Sequence, residues 1–221
     1  MEKVLDFDFD KSWEYENGFY MTSTISRLSK MVSHYELYKT IVDLPGEVIE
    51  CGVFKGASFI RLATFREILE NSYSRKIIGF DAFGDFPETE REIDNEFIKK
   101  FEKEAGTGIS KNEFKKILRH KNITNYELIQ GNILKTIPAY LLNHPSLKIS
   151  LLHIDVDVYK PTKIILEYLF ERVVDSGLIV LDDYGKVEGE TKAVDEFLND
   201  NKDNYIVKKA LFSHVPSYIK K

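Results

Sequence analysis

The hydrophobic and polar positions of this chain alternate between two spacings, and the alternation predicts a wound α/β fold. Short apolar, β-rich runs are typical of strands buried on both faces of a parallel sheet. They are predicted at 48–51, 76–80, 126–129, 149–154 and 178–181. Apolar residues recur at helical spacing over 24–43, 58–70, 134–142, 162–174 and 190–199. This repeated strand–helix order implies a mostly parallel sheet covered by helices on both faces.

Three segments stand outside this alternation. Residues 1–20 form an acidic, aromatic arm without regular periodicity, and 84–124 form a charged insertion predicted to contain two helices. Because both are appended to the minimal pattern, we expect a lid over the ligand edge, with a subunit interface as the alternative. Apolar residues over 205–209 and 211–218 predict an antiparallel C-terminal hairpin. We interpret the whole chain, 1–221, as one domain.

Composition and charge narrow the class of protein. The chain has 221 residues, 43% of them hydrophobic and 30% charged, which is typical of a globular domain. Its net charge of -5 argues against a nucleic-acid binder. No apolar run approaches the length of a membrane span, and the acidic start over 1–10 lacks the apolar core of a signal peptide. The single cysteine, Cys51, predicts an inert core thiol and a cytoplasmic location.

Two of the predicted strands end abruptly in paired acids. Asp155 and Asp157 follow one strand, and Asp182 and Asp183 follow the next. Ligands bind at the carboxyl ends of the strands in open α/β sheets, so we expect these four side chains to converge there. Converging carboxylates repel one another, and a hard cation such as Mg²⁺, which prefers oxygen ligands, would relieve the repulsion. The alternative is that these acids only cap helices or lie solvated in loops. That explanation would suffice for a single acid after a strand, but it is less suited to two pairs on neighbouring strands.

The loop after the first strand indicates the cofactor. Gly52 and Gly56 allow a tight turn and a close backbone approach to a ligand. The spacing Glu-x-Gly-x-x-x-Gly matches neither the dinucleotide fingerprint nor the P-loop, and the missing phosphate cradle suits S-adenosylmethionine (SAM). Asp81, after the second strand, is in position to accept hydrogen bonds from both ribose hydroxyls. Residues 131–133, after the third strand, are in position to line the adenine.

In this order the motifs resemble the metal-dependent sugar O-methyltransferases of antibiotic biosynthesis, the macrocin, mycinamicin and novobiocin group. The similarity runs from about Thr22 to Phe197. It implies a Rossmann-like class I SAM-dependent methyltransferase, with a seven-stranded, mostly parallel sheet and an antiparallel C-terminal hairpin. The candidate cofactor-binding residues in and around the motifs are Thr22, Glu50, Gly52, Val53, Phe54, Gly56, Ser58, Asp81, Ala82, Phe83, Gly131, Asn132, Ile133 and Asp155.

The resemblance also implies a role for each acid. Asp155, Asp182 and Asp183 would bind Mg²⁺, and Asp157 would act as the general base. The implied reaction is SAM- and Mg²⁺-dependent methyl transfer to a sugar hydroxyl, with two neighbouring hydroxyls chelating the metal. Such a hydroxyl is a poor nucleophile until a metal and a base assist the loss of its proton. His153 lies deeper in its apolar run, and we expect a hydrogen-bonded core histidine there.

The chain departs from the family at two motifs. Residues 54–57 read Phe-Lys-Gly-Ala where Trp-Arg-Gly-Gly is usual, and Val156 replaces a glycine. A sugar in a nucleotide-linked, lipid-linked or surface-glycan precursor therefore fits as well as an antibiotic sugar. Two other functions stay open: a catechol-type O-methyltransferase acting on an aromatic diol, and a non-catalytic SAM-binding protein. The expected partner is a small sugar or glycoside, without nucleic acid, and homo-oligomer formation is left open.

Overall fold

The computed structural model describes residues 3–4, 6–201 and 205–221. Its strands are β1 (Lys3–Val4), β2 (Phe7–Asp8), β3 (Glu47–Cys51), β4 (Ile77–Asp81), β5 (Tyr126–Gln130), β6 (Ile149–Ile154), β7 (Val173–Leu181), β8 (Lys208–Lys209) and β9 (Ser217–Lys220). Its α-helices are α1 (Ser12–Thr22), α2 (Ile25–Lys39), α3 (Ala57–Leu69), α4 (Glu92–Ala105), α5 (Lys111–His120), α6 (Ile133–Asn143), α7 (Tyr159–Leu169) and α8 (Glu188–Asp200). Short 3₁₀ turns precede α1 and follow α7.

The main sheet has seven strands in the order β5-β4-β3-β6-β7-β9-β8. The first five are parallel to one another, and β9 pairs antiparallel with both β7 and β8. The predicted seven-stranded sheet with an antiparallel C-terminal hairpin is therefore confirmed. Chain order reverses between the neighbouring strands β3 and β6, so the topological switch point, where such sheets bind ligands, lies between their carboxyl ends.

The two faces of the sheet bury separate hydrophobic cores, because successive side chains of a strand point to opposite faces. Val48 and Leu151 pack with the helices on one face, whereas Ile49 and Leu152 pack on the other. The β6 strand is buried along its whole length. Cys51 belongs to the second core, is a free thiol as expected, and has its pKa raised by burial.

Three sequence expectations need correction. The arm contains elements that its lack of periodicity did not predict: β1 and β2 form a small antiparallel ribbon, and α1 follows it. The α1 helix buries no residue, so its sequence carries no apolar face that periodicity could detect. The helix predicted over 162–174 instead ends at Leu169, and β7 begins at Val173. The strands of the C-terminal hairpin are shorter than predicted, and residues 1, 2 and 5 of the arm lie outside the described residues.

The insertion contains the two expected helices, α4 and α5. Phe114 and Leu118 of α5 are fully buried, and the Phe114 ring packs edge-on against Phe59 of α3. The N-terminal arm docks on the same helix, where Phe9 stacks on His120 with ring centroids 3.9 Å apart. No helix within the described parts of the chain is long and apolar enough to cross a membrane.

A buried arginine fixes the segment that leads into β3. Arg75 forms an ion pair with Glu70, and both side chains are almost fully buried. Its Nη2 group also donates to the carbonyl oxygens of Ile41, Val42 and Leu44, each at 3.1 Å. The guanidinium thus satisfies several backbone acceptors of the turn between α2 and β3.

We predict that Arg75→Ala lowers the free energy of unfolding by about 3–5 kcal/mol, because several buried carbonyls lose their donor and the Glu70 carboxylate keeps a hydrogen bond from the Tyr38 hydroxyl but loses its neutralising cation. Urea denaturation followed by circular dichroism measures the loss. Lys39→Ala is the matched control, since it breaks an exposed ion pair with Glu36, and we expect a change within about 0.5 kcal/mol. Similar losses in the two variants would contradict the structural role given to Arg75.

Candidate active site

A cavity of about 820 Å³ opens at the carboxyl edge of the parallel strands. The loops after β3, β4 and β5 line it together with all four acids that follow β6 and β7. This volume lies within the range of small-molecule sites. The paired-acid motifs and the proposed cofactor loops therefore share one cavity.

The glycine that follows β3 brings the cofactor loop into backbone contact with the first acid motif. Gly52 has φ +92°, and a Cβ atom there would lie 1.7 Å from the carbonyl oxygen of Asp155. On either side, Gly52 N–H donates to Phe80 at 2.9 Å, and Asp155 N–H donates to Cys51 at 2.9 Å. Only glycine fits this crossing, so the cofactor loop and the first acid are held in contact.

Asp81 organises the same loop through its carboxylate. Its Oδ2 accepts hydrogen bonds from the backbone N–H groups of Val53 at 2.7 Å and Phe54 at 3.0 Å, and its Oδ1 accepts from Phe83. A carboxylate oxygen can accept two hydrogen bonds, and Oδ1 accepts only the one from Phe83 among the described residues, so Asp81 can also accept there from a ligand hydroxyl. Its predicted contact with the ribose stays a prediction.

The predicted cofactor residues divide into two groups. Ten line the cavity: Gly52, Val53, Phe54, Ser58, Asp81, Ala82, Gly131, Asn132, Ile133 and Asp155. The other four do not. Thr22 is exposed at the end of α1 and donates to Gly18, and Gly56 lies against Phe114. Glu50 and Phe83 are buried and do not line the cavity.

Three of the acids form one cluster. Asp155, Asp157 and Asp183 each present a carboxylate oxygen, and these oxygens lie within 4.8 Å of one another. Burial, followed by repulsion from Asp182, raises the pKa of Asp155 well above its usual range. Burial and Asp183 raise the pKa of Asp157 to about 8, and burial and Asp182 raise that of Asp183. Crowded, buried oxygen donors of this kind fit a hard divalent cation.

Asp182 has different neighbours. One oxygen accepts from Nε2 of His153 at 3.3 Å, and the other accepts from Lys30 Nζ. His153 also contacts Glu50 Oε1 through Nδ1 at 3.0 Å. Burial opposes the charge of His153, but Asp182 and Glu50 outweigh it and raise its pKa to about 10. His153 is therefore a buried imidazolium bonded on both nitrogens, and the predicted ligand role of Asp182 stays a prediction.

Three cavity residues of α2 and α3 were absent from the sequence-based site. Lys30 and His34 project from α2 beside Asp182, and Arg61 of α3 contacts His34 Nδ1 through Nη1 at 3.3 Å. Burial lowers the pKa of His34 to about 4, so its ring is neutral. The available signal was the polar spacing of Arg27, Lys30 and His34, which share a face of α2 where an apolar stripe would otherwise continue.

Glu190 was also missed. It is fully buried in the first turn of α8, and its Oε1 accepts from the backbone N–H of Asp183 at 3.1 Å. Its Oε2 has no hydrogen-bond partner in the described ranges, and burial raises its pKa well above the usual range. A fourth carboxyl group therefore contacts the acid cluster, through the backbone of Asp183.

The insertion contributes one wall of the cavity. Residues 84–90 line it almost continuously, followed by Phe101, Ala105 and Gly108. The start of α4 is tied to the neighbouring helices, since Arg91 pairs with Glu188 and Asp94 accepts from the backbone N–H of Tyr159 at 3.2 Å. No described residue before Ser26 lines the cavity. The lid role of both segments stays a prediction.

We predict that Gly52→Ala lowers the free energy of unfolding by more than about 2 kcal/mol, because the new Cβ collides with Asp155 and the left-handed backbone conformation disfavours alanine. Thermal unfolding measures the loss. Gly84→Ala is the control, since a Cβ there meets nothing within 4 Å. Equal stability of the two variants would show that Gly52 and Asp155 are not in contact.

The seven-stranded sheet, its switch point and the cavity define a class I SAM-dependent methyltransferase fold. The family model for macrocin O-methyltransferase (TylF) matches residues 17–210. The chain therefore belongs to this family and is a SAM-dependent O-methyltransferase, which confirms the resemblance found in the sequence. No curated protein matches the chain significantly.

Solved structures agree on the fold. The apo structure of CalS11, a TDP-rhamnose 3'-O-methyltransferase in calicheamicin biosynthesis, is 22% identical, covers 98% of this chain and 87% of its own, and has a TM-score of 0.67. The O-methyltransferase NovP is 18% identical, covers 87% and 79%, and has a TM-score of 0.76. SMU.1697c from Streptococcus mutans, a putative methyltransferase in complex with SAH, is 16% identical, covers 85% and 93%, and has a TM-score of 0.51.

Proposed function

We propose that this chain transfers the methyl group of SAM to a hydroxyl of a sugar or sugar-containing precursor, assisted by a divalent cation such as Mg²⁺. The observation that carries the proposal is the contact at Gly52, which joins the cofactor loop to Asp155 of the acid cluster. The TylF family and the sugar substrate of CalS11 support a sugar acceptor over an aromatic diol. A nucleotide-linked sugar is one member of that acceptor class.

The loops after β3, β4 and β5 would hold SAM. Gly52 to Phe54 would contact the methionine part, Asp81 would accept from the ribose hydroxyls, and Asn132 would lie beside the adenine. All of these residues line the cavity. Asn132 already uses its side-chain oxygen to cap α6 through Leu134 N–H, so its remaining N–H groups would be the ones available to the base.

Asp155, Asp182 and Asp183 would hold the divalent cation. Asp155 and Asp183 belong to the oxygen cluster, and Asp182 would join them if Lys30 Nζ released its second oxygen. When bound, the cation would lower the proton affinity of the attacking hydroxyl. Lys30 would thus neutralise Asp182 until the cation arrives.

Asp157 would take the proton of the acceptor hydroxyl. It shares a hydrogen bond with Asp183 inside the cluster, and it can accept a new proton only after the shared proton has left. Its backbone has φ +62°, a left-handed conformation that asparagine tolerates well. His153 is unsuited to the role, because an imidazolium bonded to two carboxylates has no free lone pair.

We predict that saturating Mg²⁺ raises the melting temperature of the wild-type protein and that Asp183→Asn removes most of the shift. Ligand binding at 100 times Kd stabilises a folded protein by about 2.7 kcal/mol. Differential scanning calorimetry with Mg²⁺ or with EDTA measures the effect. Asp85→Asn is the control, because Asp85 lines the cavity outside the cluster and its variant should keep the shift. A full shift in Asp183→Asn would reject this metal site.

We predict that Asp157→Asn lowers kcat by about 10²–10⁴, the usual contribution of a positioned base, while it keeps the Mg²⁺-induced shift. His153→Gln should instead lower the free energy of unfolding by about 3–5 kcal/mol, because Glu50 and Asp182 would lose their shared cation. A methyl-transfer assay with a sugar acceptor measures kcat, and calorimetry measures the Mg²⁺-induced shift and the loss of stability. If Asp157→Asn loses the shift as well as turnover, Asp157 is a ligand and not the base.

Three further expectations remain proposals. They are the cytoplasmic location, which rests on the single cysteine, homo-oligomer formation, and the lid role of the insertion. The lid role of the insertion is supported by the wall that residues 84–90 contribute to the cavity. Hydrogen exchange with and without acceptor would measure it, and unchanged exchange over these residues would count against a lid.

A further inference from the structure

The cavity contains two guanidinium groups that form no ion pair within the part of the chain that the structure describes. Arg27 of α2 and Arg61 of α3 both line it. Across the described residues, neither forms an ion pair with an aspartate or glutamate. This differs from the other arginines of the chain that lie near the core, such as Arg75, whose guanidinium is fully paired with Glu70 and carbonyl oxygens.

Arg61 is the more informative of the two. Its one hydrogen bond among the described residues joins Nη1 to the neutral ring of His34 at 3.3 Å. A guanidinium has five N–H donors, so most of those on Arg61 are left for the cavity. Burial lowers the pKa of Arg61 in spite of attraction from Asp182 and Glu50, and repulsion from Arg27 lowers it further. Arg27 is exposed, but Arg61 is half-buried, so the unpaired charge of Arg61 is costly unless a ligand supplies an anion.

The remaining cations of the cavity are already engaged or lie on another wall. Lys30 donates to Asp182, Lys160 pairs with Glu90 at 2.7 Å, and Lys55 donates to the carbonyl oxygen of Ala105. Lys186 lies beyond the acid cluster, in the loop before α8. The uncommitted positive charge is therefore concentrated on the wall formed by α2 and α3.

We infer that Arg27 and Arg61 bind an oxyanion, a carboxylate or a phosphate, carried by a ligand of this cavity. Arginine suits the role because its planar fork donates two parallel hydrogen bonds to either group. The inference rests on the proposed function, which brings two such groups to the cavity. One is the carboxylate of the methionine part of SAM, and the other is a phosphate of a nucleotide-linked sugar acceptor.

Titration calorimetry on the full chain tests the inference with three probes. S-adenosylhomocysteine carries the carboxylate, 5'-methylthioadenosine keeps the adenosine and sulfur without it, and inorganic pyrophosphate, added to the protein loaded with S-adenosylhomocysteine, represents the acceptor phosphates. The variants are Arg27→Gln and Arg61→Gln. Lys186→Gln is the matched control, since it removes the same unit charge from another wall of the same cavity. Thermal unfolding establishes that every variant is folded.

If the cofactor supplies the oxyanion, Arg61→Gln lowers the affinity for S-adenosylhomocysteine at least tenfold and leaves the affinity for methylthioadenosine unchanged. If the acceptor supplies it, both adenosine ligands bind as before, and pyrophosphate binding falls at least tenfold. The inference is overturned if neither probe responds, if both adenosine ligands weaken equally, or if Lys186→Gln causes the same loss. Failure of S-adenosylhomocysteine to bind the wild-type protein would reject the proposed cofactor site itself, whatever the arginine variants do.

Discussion

Negative charge at the carboxyl edge of β3, β6 and β7 is the constraint on which the site depends. Six carboxyl groups lie there, largely buried: Glu50, Asp155, Asp157, Asp182, Asp183 and Glu190. Among the described residues, only two cations, His153 and Lys30, contact them directly. Because an unpaired buried carboxylate costs several kcal/mol, Asp182, which contacts both cations, is the acid whose pKa stays below its usual range. The pKa values of the other five carboxyl groups are raised, because the site holds more buried carboxyl groups than cations.

The sequence predicted the architecture best where a strand is buried on both faces of the sheet. Strands buried on both faces appear as continuous apolar runs, so β3, β4 and β6 were located closely, and the acids that follow them had to lie at the ligand edge. The start of β7 was missed because Val173 falls four residues after Leu169, at helical spacing, so the apolar pattern of α7 continues into the strand. The α1 helix was missed for the opposite reason, since it buries no residue that periodicity could register.

The site was less predictable than the fold, since a motif fixes the position of a residue along the chain but not the direction of its side chain. Glu50 and Phe83 lie inside matched motifs, yet both are buried and neither lines the cavity. Lys30 and Asp182 are 152 residues apart in sequence and meet only in the folded chain. Spacing along α2 indicates that Arg27, Lys30 and His34 share a polar face, but the contact of Lys30 with Asp182 could not be assigned from local patterns. Tertiary contact, not local sequence, determines which polar side chains face the ligand.

The crossing of Gly52 and Asp155 has a consequence for how this family of sequences can change. The atom that a side chain at position 52 would strike is the backbone oxygen of residue 155, which every amino acid carries. No replacement at position 155 could therefore make room for a larger residue at position 52, and a suppressor would have to move β6 itself. The two positions are thus free to vary in different ways: the side chain at 155 can be exchanged without moving β3, whereas position 52 admits only glycine as long as the two strands remain neighbours.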